Sequence, residues 1–532
     1  MATIERLIEL LKSAQGDPQA QAAITAGFLV SAQPEPERED LRAALDAAAV
    51  LRWFDASLLA RVLQASQASK QFDVLKSLPF VECYGVHAGD RRNVHESTRL
   101  GWRKRLADEA PERFRVLSAR AAACFADDAS PTGQIEWIYQ LLCGDPDRGA
   151  TELEELDREW SSLAHPEDRY ALAVAIEELE DTKLVQGRAR VWVLLVVAWA
   201  HRSRGETSWL VDVARDALRL AHDASDSRAE ADAQSLLGDV FSVQGRLAEA
   251  LAAYGEYLTI SRRLVEQDPS NADWQGELAV AYSSVADVLK AQGKLLEALA
   301  AIGECLSIIR RLAKQDPSNA CWQRGLALAL SREGDMLQAK GNRGGARAAY
   351  GEYLATSRQL AERDPTNADW QCELAAAYGR IGNALKSDEM LTEARAAYGE
   401  YLAIGRQLAE RDPGNADWQC ELAVAFSKVG EVLATQGKLT EAKAMFGESL
   451  GIFRRLAEKD PTNAGWLHDL AVANLNSAKL ESEAGRRDAA LPLYKEASRI
   501  YRALMKMAPG FTEWAREKEM IDSDLELLLR QA

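Results

Sequence analysis

The sequence of 532 residues lacks several features that would place it outside the cytoplasm. No stretch approaches 18 uncharged apolar residues, so no membrane-spanning helix is predicted. The opening residues, MATIERLIELLKSAQG, have neither the basic start nor the apolar run of a signal peptide. The seven cysteines are odd in number and show no Cys-x-x-Cys pair, so we expect reduced thiols and no disulfide frame or zinc site. These absences predict a soluble, cytoplasmic protein with no membrane partner.

The motifs of common catalytic and cofactor sites are also missing. The six histidines show no His-Glu-x-x-His spacing, and Gly-x-Ser-x-Gly and Gly-x-Gly-x-x-Gly do not occur. No Gly-x-x-x-x-Gly-Lys-Ser/Thr loop is present to hold nucleotide phosphates, so we expect no ATP binding. Carboxylates are numerous, but on a repeat surface they are usually solvated. The sequence therefore predicts no enzyme, no metal and no cofactor.

Positive charge is scarce, since the formal net charge is -17. Nucleic-acid binding needs a clustered positive face, so nucleic acid is an unlikely partner for the chain as a whole. One basic segment, GDRRNVHESTRLGWRKRL, is the exception, and its cations are Arg91, Arg92, Arg99, Arg103, Lys104 and Arg105. We interpret it as a solvated or partner-facing surface, with DNA contact as the alternative.

What the sequence has in abundance is repetition with a period of 48 residues. Prolines follow this period at Pro269, Pro317, Pro365, Pro413, Pro461 and Pro509, and tryptophans follow it at Trp274, Trp322, Trp370, Trp418, Trp466 and Trp514. Glycines keep the same spacing at Gly245, Gly293, Gly341, Gly437 and Gly485, with Glu389 in the place of a sixth. Each unit therefore has two break points, which is typical of a repeat architecture.

Between the break points the apolar residues follow helical periodicity. In LTEARAAYGEYLAIGRQLAERD, apolar residues recur at steps of three and four, as one face of an α-helix requires. Thr366 and Asp369 match a Thr-x-x-Asp capping box, which predicts where the next helix begins. The unit is therefore predicted to be a helix hairpin, with the tryptophans packed between neighbouring hairpins.

The residues around each glycine resemble a tetratricopeptide repeat. In LLGDVFSVQGRLAEALAAYGEYL, Leu237, Gly238 and Phe241 match the signature of the first helix, and Ala250 with Tyr254 match that of the second. The familiar repeat has about 34 residues, so this is a long-helix variant. The resemblance implies an all-α fold: a right-handed tetratricopeptide-type α-solenoid of long helix hairpins.

The N-terminal region resembles the winged-helix module of STAND signalling ATPases, relatives of NOD-like receptors. The matching stretches are AAAVLRWFD, LPFVE, VHESTR and RAAACF. In that family the histidine corresponding to His95 touches nucleotide phosphates, but without an NTPase core we expect a structural or vestigial role for His95. We predict a winged-helix-like domain at 1–130, a helical linker and degenerate hairpin at 131–222, six hairpins at 223–508, and a capping helix at 509–532.

The resemblance also implies a binding groove, because such solenoids line a concave surface with the first helix of each pair. The groove residues predicted from the small position of each repeat are Asp239, Asp287, Lys290, Asp335, Gln338, Asn383, Lys386 and Glu431. Their acids predict an acidic track that selects a partly basic segment, and an ordinary hydrated surface is the alternative.

Two functions follow from these expectations. The first is an interaction scaffold, sensor or adaptor that binds a protein or peptide in the groove, in a setting such as bacterial immune or conflict signalling. Its N-terminal module would dock an effector or NTPase partner on another chain. The second is a winged-helix transcriptional regulator whose solenoid is the sensor.

Overall fold

The computed structural model describes residues 4–35, 37–65, 68–85, 89–162, 166–203, 209–507 and 512–530. The described residues form helices and one two-stranded hairpin. None of the helices among them is both long and apolar enough to cross a membrane. The chain divides into two compact units, Met1–Asp268 and Pro269–Ala532. This division falls inside the segment 223–508 that the sequence suggests as one repeat domain, and the domain boundaries given above stay predictions.

The first unit contains helices of varied length and the hairpin. Its helices are α1 Ile4–Ser13, α2 Pro18–Ser31, α3 Glu37–Val50, α4 Ala56–Leu63, α5 Ala68–Leu75, α6 Glu96–Glu109, α7 Pro111–Phe125, α8 Pro131–Gly144, α9 Pro146–Ser162, α10 Pro166–Asp181, α11 Gly187–Ser203, α12 Leu210–Asp223, α13 Ser227–Val243 and α14 Leu247–Gln267. Strands β1 Val81–Cys83 and β2 Arg92–Val94 pair antiparallel, with Val81 opposite Val94. A single bridge also joins Phe54 to Arg92.

The second unit contains five helix pairs and a last helix. They are α15 Ala272–Ala291, α16 Leu295–Gln315, α17 Ala320–Ala339, α18 Arg343–Arg363, α19 Ala368–Ser387, α20 Leu391–Arg411, α21 Ala416–Thr435, α22 Leu439–Lys459, α23 Ala464–Glu483, α24 Arg487–Met507 and α25 Thr512–Arg530. Each first helix packs on its own second helix, and α17, α19, α21 and α23 also pack on the second helix before them. The helix-hairpin prediction is confirmed here, and the two break points per repeat fall between the helices.

The break inside each hairpin needs a left-handed backbone residue. Gly293, Gly341 and Gly437 adopt φ values of 77°, 81° and 74° just before the second helix begins. Glycine adopts this conformation without the steric cost that a Cβ imposes. Glu389 takes the same conformation, with φ of 60°, so this repeat accepts the strain that the others avoid.

The break between hairpins is an Asp-Pro turn followed by an asparagine cap. The Asp364 carboxylate accepts hydrogen bonds from the Thr366 backbone N–H at 2.9 Å and from its hydroxyl at 2.6 Å. The Asn367 side chain then accepts from the Trp370 backbone N–H at 3.1 Å. The predicted capping box of Thr366 with Asp369 is therefore wrong, because the helix begins one residue later and Asn367 is its N-cap.

In the hairpins α13–α14, α17–α18, α19–α20 and α21–α22, an aromatic ring of the second helix, the closing ring, lies on a glycine of the first. A Cβ added to Gly382 would lie 2.6 Å from Cε1 of Tyr398, and one added to Gly430 would lie 2.8 Å from the same atom of Phe446. Where the small residue is Ala286, its partner position holds Ile302, which is fully buried but is not a ring. The signature positions of the repeat thus have a steric explanation.

The tryptophans at the hairpin junctions are half-buried. Trp370 packs against a cluster built from α18 to α23, and Trp466 and Trp514 pack against the cluster at the end of the unit. They contribute contact area beside the core, and they leave part of each ring at the surface. Pro509 lies outside the described residues.

Helix α25 covers the last hairpin through both apolar and charged contacts. Ile521 and Leu528 are buried, and the Ser498 hydroxyl donates to Asp522 at 2.6 Å. His468 of α23 lies with Nε2 3.3 Å from a carboxylate oxygen of Glu517 in α25 and with Nδ1 3.7 Å from Asp469. Asp469 and then Glu517 raise the pKa of His468 against the opposing effect of burial. Its ring packs edge-on to Tyr501.

We predict that Gly382→Ala destabilises the protein by about 1–2 kcal/mol, because the clash with Tyr398 outweighs the helix propensity that alanine gains. Gly399→Ala is the matched control. Nothing lies within 4 Å of its Cβ, so it should stabilise by up to ~1 kcal/mol. Adding Tyr398→Ile to Gly382→Ala should restore part of the loss. Thermal melting measures all three, and a higher Tm for Gly382→Ala would contradict the steric explanation.

We predict that the contribution of His468 to stability depends on pH. A raised folded-state pKa means that the stabilisation is present below the unfolded value of about 6.5 and is lost as pH rises through the folded value. His468→Gln should therefore lower Tm more at pH 5.5 than at pH 8.5. His222→Gln changes a side chain that is 82% exposed and serves as control. Equal losses at both pH values for His468→Gln would refute the prediction.

Candidate functional site

The first helices of the second unit share one exposed face. In α19 the residues on this face are Asp369, Glu373, Ala376, Arg380 and Asn383, which recur at helical spacing and are exposed or half-exposed. Leu374, Ala375 and Ala377 between them are buried. We call these positions, with their equivalents in α15, α17, α21 and α23, the first-helix face. Every residue of the predicted groove that belongs to the second unit lies on it or at its edge.

The C-terminal turns of this face carry ion pairs that join successive repeats. Arg332 Nε lies 2.9 Å from Asp287, Arg380 pairs with Asp335, and Lys386 Nζ lies 2.6 Å from Glu431. In each pair the residues are 45 positions apart, three short of the repeat length. Stacking of the hairpins places them side by side. We call these last turns the paired band.

The other predicted groove residues belong to the same network. Lys290 lies 3.6 Å from Asp335, whose carboxylate also accepts the Tyr350 hydroxyl at 2.7 Å. That hydroxyl lies 3.2 Å from Gln338 Oε1. In the next repeat the Tyr398 hydroxyl donates to Asn383 at 2.6 Å. The closing rings of the hairpins are thus tied by hydrogen bonds to the paired band.

The structure changes the interpretation of the acidic track. The acids Asp287, Asp335 and Glu431 have basic partners on the next or the preceding first helix, so their charge is balanced within the face. The sequence-based reasoning missed the bases Arg332, Arg380 and Lys428, which lie two positions before the small residue of three successive repeats. That recurrence was the signal that would have found them. Between α15 and α21 the paired band holds three acids and five bases, the other two being Lys290 and Lys386.

Asp239 is the one predicted groove residue in the first unit. Its carboxylate lies 2.8 Å from Arg202 and accepts a hydrogen bond from the Tyr254 hydroxyl. The arrangement matches that of Asp335, in which an arginine and the closing tyrosine share one carboxylate. Asp239 is therefore also charge-balanced.

The middle of the first-helix face is apolar. Val280 is 52% exposed and Leu328 is 37% exposed, and the two occupy equivalent positions of successive first helices. The equivalent positions in the following helices hold Ala376, Val424 and Val472, which are exposed or half-buried. We call this row the apolar strip, and it separates the paired band from the N-terminal turns.

On this face the N-terminal turns of α19 and α21 are acidic, whereas the first turns of α17 and α23 contain no acid. Asp369, Asp417 and Glu421 are exposed, and no cation of the described residues lies within 4 Å of their carboxylates. Glu421 accepts the Tyr401 hydroxyl, and Glu373 pairs with Arg324. We call these turns the acidic band.

The carboxylates of the acidic band contribute to the raised pKa values of two neighbouring thiols. Burial, together with the carboxylates of Asp469 and Glu421, raises the pKa of the Cys420 thiol to about 12. Burial and the charge of Asp369 also raise the pKa of Cys372. These thiols are inert as nucleophiles at neutral pH, and the negative potential around them acts on any ligand of the face.

The basic segment of the first unit does not form an exposed patch. Arg99 is 6% exposed and Arg103 is fully buried, so the prediction that these two lie on a solvated or partner-facing surface is wrong. Both bind Glu178 of α10, with Arg103 Nη1 3.0 Å from its carboxylate. Burial raises the pKa of Glu178, but the hydrogen bond and charge of Arg99, with the charge of Arg103, outweigh it and hold that pKa below its usual range.

This buried cluster joins α6 to α8 and α10. Tyr139 of α8 donates its hydroxyl to Glu178, and the Arg103 guanidinium lies 4.6 Å from the centre of the Tyr139 ring. Arg103 also donates to the Cys143 thiol at 3.2 Å. Sequence spacing on α6 alone cannot show that two of its arginines face other helices.

The remaining cations of the segment are separated. Arg91 is exposed and lies 4.3 Å from the Trp53 ring centre, while Arg92 pairs with Asp90 at 2.8 Å. Lys104 is exposed, and Arg105 pairs with Glu109 at 2.8 Å. His95 is exposed at the start of α6, and its ring makes no capping hydrogen bond. Across the described parts of both units, no group of three His, Cys, Asp or Glu side chains is arranged to hold a metal ion.

Comparison with known proteins places the fold in a class. No family model and no curated protein matches the chain. Among solved structures, the chain is similar to a STAND protein with a tetratricopeptide repeat sensor from Pyrococcus horikoshii. The TM-score is 0.53 at 14% identity, over 98% of this chain and 72% of that one. The fold is therefore an all-α solenoid of tetratricopeptide-type hairpins.

Two further solved structures cover less of the chain. BtubC (BKLC) from P. vanneervenii matches with a TM-score of 0.39 and 22% identity, over 49% of this chain and 92% of that one. A Rap protein complexed with competence and sporulation factor matches with a TM-score of 0.39 and 14% identity, over 71% of this chain and 99% of that one. At these scores neither match adds to the argument on the fold.

We predict that Asp335→Ala destabilises the protein by about 1–2 kcal/mol, because it leaves the Tyr350 hydroxyl and the Arg380 guanidinium without their shared acceptor. Asp287→Ala is the matched control. It removes one ion pair at a carboxylate that is 44% exposed and should cost under about 0.5 kcal/mol. Thermal and urea unfolding measure both. Equal losses would mean that the hydrogen bond to the closing tyrosine contributes nothing.

Proposed function

We propose that the protein is an interaction scaffold of the sensor or adaptor kind, which binds a protein or peptide segment on the first-helix face of its second unit. The observation that carries the proposal is the apolar strip. Large aliphatic side chains at Val280 and Leu328 remain exposed, although the same helices bury most of their other aliphatic residues. Exposed apolar rows flanked by charge mark binding surfaces for peptides and partner helices.

We further propose that the N-terminal region docks an effector or NTPase on another polypeptide. The order of its elements supports a winged-helix-like module: α3, α4 and α5 are followed by the β1–β2 hairpin, and Phe54 adds a bridge at the edge of that hairpin. Such a module serves here as a docking platform in the cytoplasm. Bacterial immune or conflict signalling is the setting that we propose.

The alternative of a DNA-binding regulator receives no support from the basic segment. Two of its six cations are buried in the cluster around Glu178, and two others are paired with neighbouring carboxylates. A DNA surface needs several cations aligned to reach phosphates. We therefore propose protein partners and no nucleic acid.

The test is to compare partner capture by two variants in the organism that encodes the chain. Val280→Asp with Leu328→Asp places charge in the apolar strip and should abolish capture of the partners that the parent retains. Leu296→Asp is the matched control, because Leu296 is 70% exposed on a second helix, away from the first-helix face. It should retain all partners. Affinity purification with quantitative mass spectrometry provides the measurement.

The two variants also separate a binding defect from a folding defect. All substituted residues are exposed, so each variant should melt within a few degrees of the parent. Capture of every partner by the strip variant at parental levels would place binding elsewhere and would refute the proposed function.

A further inference from the structure

The apolar strip lies between two charged bands. They differ in whether their carboxylates are already held in ion pairs within the face. The paired band presents its carboxylates already bound to Arg332, Arg380 and Lys386. A cationic ligand that approached these carboxylates would have to displace an existing ion pair and would meet an excess of bases. The predicted acidic row is therefore unsuited to recognise a basic segment.

The acidic band has the opposite property. Asp369, Asp417 and Glu421 are exposed and lack a cation within ion-pair distance among the described residues. Acids in the first turn of a helix also favour its dipole, which is a sufficient reason for Asp369 and Asp417. Glu421 lies in the second turn of α21, where the dipole effect has decayed; it accepts the Tyr401 hydroxyl, but its negative charge has no cation within 4 Å among the described residues.

Resting on the proposed function, we infer that the ligand of the first-helix face is an amphipathic basic segment. Its apolar side chains cover Val280 and Leu328, and its lysines or arginines lie against the acidic band. The charge asymmetry also fixes the orientation of the ligand across the face, because its cationic edge is repelled by the bases of the paired band. The determinants of recognition are thus at the N-terminal turns of the first helices and not in the row found from the sequence.

The raised pKa values of the Cys372 and Cys420 thiols are consistent with this assignment. Burial is the first cause of both raised pKa values, and the neighbouring carboxylates of Asp369, Glu421 and Asp469 add to it. A cation held next to Asp369 and Asp417 experiences the same potential with favourable sign.

The experiment uses two fluorescent amphipathic peptides that share the same leucine positions and carry either lysine or glutamate on the polar face. Fluorescence anisotropy with the full-length protein should show binding of the lysine peptide about tenfold tighter than the glutamate peptide. The preference should fall as salt rises from about 20 to about 150 mM, because exposed charges are screened. Equal binding of the two peptides would overturn the inference.

Two triple variants separate local recognition from the overall negative charge. Asp369→Asn with Asp417→Asn and Glu421→Gln should reduce the preference for the lysine peptide by at least about threefold. Asp287→Asn with Asp335→Asn and Glu431→Gln removes the same number of charges from the paired band and should reduce the preference less than the acidic-band triple does. The opposite ranking of the two triples would overturn the inference.

The same variants distinguish failure of the inference from failure of the proposed function. Val280→Ser with Leu328→Ser should weaken binding of the lysine peptide and of any captured partner. If captured partners need these two residues but bind the acidic-band triple as tightly as the parent, the scaffold function stands and the basic-ligand inference falls. If partners bind the Val280 and Leu328 variant unchanged, both fall.

Discussion

The closing contact of each hairpin is the constraint on which the repeat depends. In the α19–α20 hairpin the Tyr398 ring of the second helix lies on Gly382 of the first. This contact fixes the distance between the two helix backbones and their relative position along the helix axes. Interiors pack at crystal-like density, so this contact admits little variation in size. The ring also carries a hydroxyl to the surface, where Asp335 or Asn383 accepts it. One pair of positions thus sets both the helix register and the location of a surface carboxylate or amide.

Stacking of such hairpins places charged residues of successive repeats side by side on one surface. Residues that are 45 positions apart become neighbours on adjacent first helices, which is why Arg380 reaches Asp335 and Lys386 reaches Glu431. The pairs satisfy charge at the C-terminal turns, and at the other end of α19 and α21 the acids Asp369, Asp417 and Glu421 have no cation within 4 Å among the described residues. In the apolar strip between them, Val280 and Leu328 remain exposed, whereas Val424 packs against the core.

In the first unit, tertiary packing buries two arginines of the arginine-rich helix α6. Arg99 and Arg103 are taken out of water by α8 and α10, and Glu178 compensates them with the help of the Tyr139 hydroxyl. A buried ion cluster of this kind contributes little net stability compared with an apolar core, but loss of one partner is costly. It therefore fixes which helices pack against α6 more than it adds to the free energy of folding.

The sequence by itself determined the helix hairpins, their period and their break points, because periodic glycine, proline and apolar residues act locally through backbone sterics and burial. It also located the first-helix face, since residues at helical spacing must share one side. It misplaced the capping residue by one position, because Thr366 and Asn367 are both good acceptors and only geometry selects Asn367. Only the tertiary structure decided which charged side chains are exposed and which are already held in ion pairs. Whether Asp335 is free or bound, and whether Arg103 is exposed or buried, depends on helices that lie 45 or 75 residues away in the chain, and these distances carry no local signal.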